Sequence, residues 1–170
     1  KPGICFATSG PGATNLVTGI ANAFLDSVPV VFITAQVVSY LIGTDAFQET
    51  DIIGISMPVT KWNCQVKKAE DIPETLAKAF YIAKTGRPGP VLIDITKDAQ
   101  IEKLDFKYTK CTHLRSYNPQ IPLRKKAIES AAIIINHAER PLILAGHGVL
   151  LSRAENELRE FAEKTGIPVA

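Results

Sequence analysis

The chain alternates short apolar runs with segments whose apolar residues recur at helical spacing. Residues 4–7 and 30–33 are continuous apolar runs, and between them the apolar side chains of residues 16–24 fall three or four positions apart. A continuous run is typical of a parallel strand covered on both faces, and the wider spacing is typical of an amphipathic helix. The pattern predicts a strand, a glycine-containing turn, a helix and a second strand, which together form a βαβ unit.

The alternation continues along the chain. Residues 72–83 carry a helical stripe that Asp71 and Glu74 are expected to cap, and residues 90–95 form a third apolar run. Between the second run and this helix lies a long polar loop, residues 36–51. Compact domains seldom carry such loops without a functional reason, so this loop is a candidate for function.

The composition changes after the third run. We predict a first domain over residues 1–98, a linker over 99–123 and the beginning of a second domain over 124–170, because the linker is rich in lysine and proline. The elements predicted for the second domain are a helix over 128–135, strands over 142–145 and 167–170, and a helix that starts with a capping box at Ser152 and Glu155. Parallel strands need neighbours on both sides, so we expect a piece of a larger α/β protein.

Composition and charge narrow the class. The 170 residues are 46% hydrophobic and carry a net charge of +2 with no basic stripe, so nucleic acid is not an expected partner. No apolar stretch is long enough to predict a membrane span. Cys5, Cys64 and Cys111 have neither zinc-ligand nor disulfide-framework spacing, which predicts reduced thiols, no metal site and a cytosolic compartment.

Two glycine-containing turns are candidate binding sites. Residues 9–12 and the Gly146-x-Gly148 turn each follow a predicted strand, where ligands bind in open α/β sheets, and glycine allows backbone to approach a ligand closely. Either turn is also compatible with a plain structural role. A nicotinamide-dependent dehydrogenase is disfavoured, because position 151 is leucine where the dinucleotide fingerprint has its third glycine.

Four segments carry a resemblance to a known family. They occur in the order and spacing of thiamine-diphosphate-dependent enzymes, and they are TSGPGATN (8–15), LDSVP (25–29), GTDAFQE (43–49) and GRPGPV (86–91). The DAFQE segment is most similar to the catalytic large subunit of acetolactate synthases, also called acetohydroxyacid synthases. The resemblance covers the whole chain and implies an internal fragment of such a subunit.

The resemblance implies a fold and a set of site residues. The first domain would be the latter part of a flavodoxin-like, three-layer domain that binds the aminopyrimidine of thiamine diphosphate, with Pro11 and Asn15 near that ring. Gln48 would hydrogen-bond the reacting carbonyl or the cofactor adduct. Phe47 would form a wall of the substrate channel, and Lys97 would lie at the mouth of that channel and attract anionic 2-ketoacids.

The second domain would be the beginning of a Rossmann-like central domain that binds FAD. The resemblance implies that Arg87, Gly146 and Gly148 contact FAD, and that FAD is structural. The glutamate that activates the cofactor, the Mg²⁺ site and the diphosphate site would lie outside this chain. Glu49 is not that glutamate, and we expect the chain alone to be inactive.

The implied reaction decarboxylates pyruvate and joins the remaining two-carbon group to a second 2-ketoacid. Glyoxylate carboligase, or another thiamine-dependent 2-ketoacid decarboxylase or oxidase, is the nearest alternative, and a flavodoxin-like sensor domain is the non-enzymatic one. A homodimer or tetramer, a small regulatory subunit and a cytoplasmic, bacterial setting are also implied.

Overall fold

The computed structural model describes residues 1–170 and consists of two compact units, Lys1–Ile121 and Pro122–Ala170. The first unit contains a four-stranded sheet in which every pairing is parallel and the spatial order is β1-β2-β4-β3. Its strands are β1 (Gly3–Ala7), β2 (Val30–Gln36), β3 (Trp62–Val66) and β4 (Val91–Thr96). Its helices are α1 (Pro11–Thr14), α2 (Val17–Leu25), α3 (Ile52–Ser56), α4 (Ile72–Lys84) and α5 (Lys97–Ile101).

Two apolar layers cover the faces of this sheet. On one face Val91 and Ile93 of β4 pack with Ala79 of α4, and on the other Leu92 packs with Ile20 of α2. Successive strand residues point to opposite faces, so a continuous apolar run supplies both layers, and every residue of β4 is buried. The predicted α/β class with a three-layer parallel sheet is confirmed.

One strand was not predicted. β3 pairs in parallel with β4 over the register Trp62↔Val91 to Val66↔Ile95 and forms an edge of the sheet. Four of its five residues are only half buried. Because Asn63 and Gln65 interrupt the apolar residues, the segment has no continuous run that would indicate a strand.

Both predicted capping boxes are wrong. Asp71 precedes α4 without a side-chain hydrogen bond to the helix. Ser152 lies inside α7 (Gly148–Ser152), where its hydroxyl donates to Gly148 O (2.8 Å), and α8 (Glu155–Thr165) begins after Ala154. The residue before α8 is Ala154 and no side chain caps that helix, so Ser152 has no capping role there.

The second unit contains α6 (Lys125–His137), α7 and α8. The strands predicted over 142–145 and 167–170 are reduced to one parallel bridge between Ile143 and Val169. Around it, Ile143 N donates to Pro168 O (3.0 Å) and Ala145 N donates to Ala170 O (2.8 Å). The two segments pair in the parallel direction expected at the beginning of a Rossmann-like domain, but the pairing is too short to form strands.

Residues 99–121, most of the predicted linker, group with the first unit. Residues 97–101 form α5, and Tyr117 packs edge-on against Tyr81 of α4 with ring centroids 6.1 Å apart. Lys61 Nζ donates to Thr85 O (2.7 Å) and Tyr117 OH (3.1 Å), beside its bond to Ile82 O. A lysine on the last carbonyls of α4 both caps that helix and anchors the segment.

None of the helices combines the length and apolarity that crossing a membrane requires.

Candidate functional site

The glycine turn leaves β1 at the carboxyl edge of the sheet. Gly10 has a φ of 57° and a ψ of −121°, a conformation that L-residues with a side chain rarely adopt, and Pro11 begins α1. Thr14 N donates to Gly10 O (3.0 Å), which closes the first helical turn. Pro11 and Asn15 are both exposed, so the turn presents backbone, a proline ring and a side-chain amide on its open side.

Gln48 is in contact with this turn. A Cβ built on Gly10 would lie 2.7 Å from Gln48 O and 2.9 Å from Gln48 Cβ, which is closer than real Cβ contacts. Glycine at position 10 is therefore required by the neighbouring loop as well as by its φ angle. The structure brings two of the predicted site residues, Pro11 and Gln48, to the same place.

The loop around Gln48 exposes the side chains of Phe47 and Gln48 to solvent. Gln48 itself has a φ of 60°, and the Phe47 side chain is 88% exposed. Lys97 begins α5 directly after β4, and its side chain is exposed as well. Because all four strands run parallel, their carboxyl ends share one edge, so Lys97 lies on the edge that carries the glycine turn.

Hydrogen bonds fix the beginning and the end of this loop. Ser39 N (3.1 Å) and Ser39 Oγ (2.5 Å) donate to the two oxygens of Asp98, and these bonds lower the pKa of that carboxyl to about 2. At the other end, Gln36 Nε2 donates to Thr50 O (2.9 Å). The segment between Ser39 and Thr50 is therefore tied to α5 at one end and to β2 at the other.

A buried carboxylate lies behind the loop and was not predicted. Asp94 in β4 is fully buried and accepts from Thr34 Oγ1 (2.7 Å), Gln36 Nε2 (3.1 Å) and Gln65 Nε2 (3.1 Å). Burial raises the pKa of Asp94, and the three hydrogen bonds oppose that shift. An aspartate within the run VLIDI was a visible signal, because a charge in a central strand needs partners.

A cavity of about 390 Å³ opens beside this network. Its lining residues include Gln36, Ile42, Gly43, Glu49, Thr50 and Asp51. The cavity is formed by the loop and the carboxyl end of β2, so loop and sheet enclose space at the expected edge. No group of three or more His, Cys, Asp or Glu side chains is arranged to hold a metal ion.

Arg87 lies at the opposite edge of the sheet. It precedes the amino end of β4, and it donates from Nε to Ser27 Oγ (2.7 Å) and from Nη2 to Leu25 O (3.1 Å). The bond to Leu25 O satisfies a carbonyl at the C-terminal end of α2, where carbonyls lack helical partners, and the bond to Ser27 Oγ contacts the turn that follows the helix. The structure thus separates Arg87 from Pro11 and Gln48 and assigns it a capping role.

Gly146 and Gly148 belong to the second unit. A Cβ built on either residue would meet no atom within 4 Å, and neither has a positive φ. Nothing within the unit therefore requires glycine at these two positions. A ligand that approaches their backbone would be a reason for it, and this role stays a prediction.

Two successive parts of the chain match domains of one protein family. Residues 1–55 match the thiamine pyrophosphate enzyme N-terminal TPP binding domain, and residues 128–170 match the central domain of the same enzymes. The chain belongs to the thiamine pyrophosphate enzymes. The first match contains both the glycine turn and the loop with Gln48, so the two features that meet in space lie within one TPP binding domain.

Several relatives of this family are similar over nearly the whole chain. An acetolactate synthase large subunit from Corynebacterium glutamicum is 57% identical over 99% of the chain. An acetolactate synthase large subunit from Haemophilus influenzae is 50% identical, and a probable acetolactate synthase large subunit from Methanocaldococcus jannaschii is 54% identical, each over 99% of the chain. The chain spans 27–30% of the length of these relatives. The resemblance to acetolactate synthases is confirmed at the level of sequence.

Proposed function

We propose that this chain is part of the catalytic subunit of an acetolactate synthase. That enzyme would decarboxylate pyruvate and join the remaining two-carbon group to a second 2-ketoacid, in the biosynthesis of valine and isoleucine. The contact of Gly10 with Gln48 carries the proposal, because it joins the turn expected to face the cofactor to the residue expected to face the substrate. The relatives named acetolactate synthase support it.

The turn offers a surface that suits a flat heteroaromatic ring. Gly10 and Gly12 have no side chains, Pro11 presents an exposed ring, and the exposed Asn15 amide can both donate and accept. We assign Pro11 and Asn15 to the aminopyrimidine of thiamine diphosphate. When bound, that cofactor supplies the electron sink for the loss of CO₂ from a 2-ketoacid.

The loop side chains would act on the substrate. The Gln48 amide can donate a hydrogen bond to a carbonyl oxygen, and the exposed Phe47 ring can exclude water from one side of the channel. Lys97, exposed at the same edge, would attract the carboxylate of the 2-ketoacid. Each role requires the loop to stay next to the glycine turn.

FAD, Mg²⁺ and the assembly are further parts of the proposal. Arg87, Gly146 and Gly148 would contact a structural FAD, although Arg87 already uses two of its donor atoms on Leu25 and Ser27. The Mg²⁺ site would lie outside this chain. The relatives are named large subunits, which favours a smaller regulatory partner, and we propose a homodimer or tetramer of the catalytic subunit.

Product analysis tests the proposal. The full-length protein is supplied with thiamine diphosphate, Mg²⁺ and FAD and offered pyruvate or glyoxylate; we expect acetolactate from pyruvate. Gln48→Ala should abolish most of this turnover, whereas Gln120→Ala, at an exposed position in the segment near α4, should leave it unchanged. Tartronate semialdehyde from glyoxylate would instead identify a glyoxylate carboligase.

Two further outcomes separate the remaining alternatives. No turnover with either substrate, together with retained FAD, would favour a ligand-binding sensor. Residues 1–170 expressed alone should form no acetolactate above a cofactor-only control, and product from that chain would contradict the placement of the activating glutamate outside it.

A further inference from the structure

The carboxylate of Glu49 is bonded to the backbone of its own loop. Gly43 N donates to Glu49 Oε1, and Ala46 N donates to Glu49 Oε2 (3.0 Å). Glu49 N donates in turn to Ala46 O (2.9 Å). One side chain thus closes residues 43–49 into a compact ring that contains both Phe47 and Gln48.

The loop needs such a closure because its backbone is strained. Asp45 and Gln48 have φ angles of 56° and 60°, and Gly43 has a φ of 85°. The left-handed region is unfavourable for residues with a side chain, and such conformations persist only when surrounding contacts impose them. No strand pairing holds these residues, so the Glu49 carboxylate supplies bonds that the sheet does not.

The two hydrogen bonds to the side chain at position 49 require a carboxylate there and not an amide. Two N–H groups point at the two oxygens of one side chain, and an ionised carboxylate can accept at both. A glutamine at position 49 would turn an NH₂ group towards one of these donors. The Gly43 and Ala46 hydrogen bonds also lower the pKa of Glu49, as expected for bonds that favour the charged form of a carboxyl.

We propose that Glu49 is a positioning residue for the substrate side of the site: its carboxylate holds the loop so that Gln48 stays against Gly10. Glu49 itself touches neither substrate nor cofactor in this role. The inference rests on the proposed function for its catalytic consequence, because positioning matters only where Gln48 acts on a substrate. The closure of the loop is independent of that function.

Glu49→Gln in the full-length protein tests the inference, with Glu70→Gln as the matched control. Glu70 is an exposed glutamate whose only ion pair is with Lys68 at 3.4 Å, and it bonds no loop backbone. Hydrogen–deuterium exchange of the peptide covering residues 41–50 should rise about 10-fold in Glu49→Gln and stay unchanged in Glu70→Gln, since two protecting bonds are weakened. Glu49→Asp, whose shorter arm cannot reach both donors, should lie between them.

Kinetics with pyruvate complete the test. We expect Glu49→Gln to lower kcat by about 10- to 100-fold, with a KM within about threefold of the wild type and an unchanged melting temperature, because misplacing a group that acts in the transition state lowers kcat. Unchanged exchange, or an unchanged kcat in a variant with raised exchange, would overturn the inference. An inactive wild type would instead refute the proposed function and the positioning role with it, whatever the exchange shows.

Discussion

Replacing Gly10 by alanine tests whether the glycine turn is shaped by the loop that it contacts. The new Cβ would lie 2.7 Å from Gln48 O, whereas ordinary van der Waals contact begins at 3.4 Å. Either the loop or the turn must move by several tenths of an ångström. The φ of 57° would also have to be adopted by a residue with a side chain.

Both effects can be expressed as free energies. An L-residue in a sparsely populated backbone region costs about 1–3 kcal/mol. Overpacking by one methyl group costs about 1–3 kcal/mol, and the exposed loop can relieve part of this by moving. We therefore expect Gly10→Ala to lower the free energy of unfolding by at least about 2 kcal/mol and to displace Gln48.

Urea denaturation followed by tryptophan fluorescence measures this change. The chain has a single tryptophan, Trp62, which lies in β3 and reports on the first unit alone. Gly19→Ala is the control, because Gly19 lies within α2 with no atom near its added Cβ, and alanine there should stabilise by about 0.5–1 kcal/mol. A Gly10→Ala variant as stable as the wild type would refute the proposed coupling of turn and loop.

Three further changes probe the framework around the site. Burial raises the pKa of Asp94 above its unfolded value, so the wild type should gain stability relative to Asp94→Asn as the pH falls from 7 towards 4 in urea denaturation; a constant difference would contradict this. Lys61→Met removes the donor at the end of α4 and should cost about 1–3 kcal/mol, against less than about 1 kcal/mol for Lys68→Met at an exposed ion pair, both read from urea midpoints. Burial raises the pKa of Cys64 to about 12, so iodoacetamide at pH 8 should modify it only after denaturation, as mass spectrometry of the labelled peptide would show.

The parts of the fold that could be predicted from sequence are those that local patterns determine. β2 and β4 are buried on both faces and therefore appear as continuous apolar runs. α4 presents one apolar stripe to the sheet and appears at helical spacing. β3 could not be found in this way, because an edge strand is half exposed and its partner lies about 30 positions further along the chain.

In the candidate site, too, only the features that local patterns determine could be predicted. The resemblance named Gln48, and the position of the glycine turn after a strand indicated a ligand edge. The contact between Gly10 and Gln48 spans 38 positions and depends on how the loop folds, which no local pattern encodes. The left-handed backbone of Gln48 could not be predicted either, because a positive φ angle is expected at glycine and not at glutamine.

The buried network explains how the sheet itself can determine the loop. Asp94 lies at the centre of β4, and the Gln36 side-chain amide that donates to it also donates to Thr50 O at the end of the loop. A polar group with partners on both sides has one favourable orientation, since leaving either acceptor unpaired in the interior costs free energy. Burying the Asp94 carboxylate costs free energy, but the carboxylate orients Gln36 and so fixes one end of the loop. That end lies next to Glu49, whose carboxylate closes the loop.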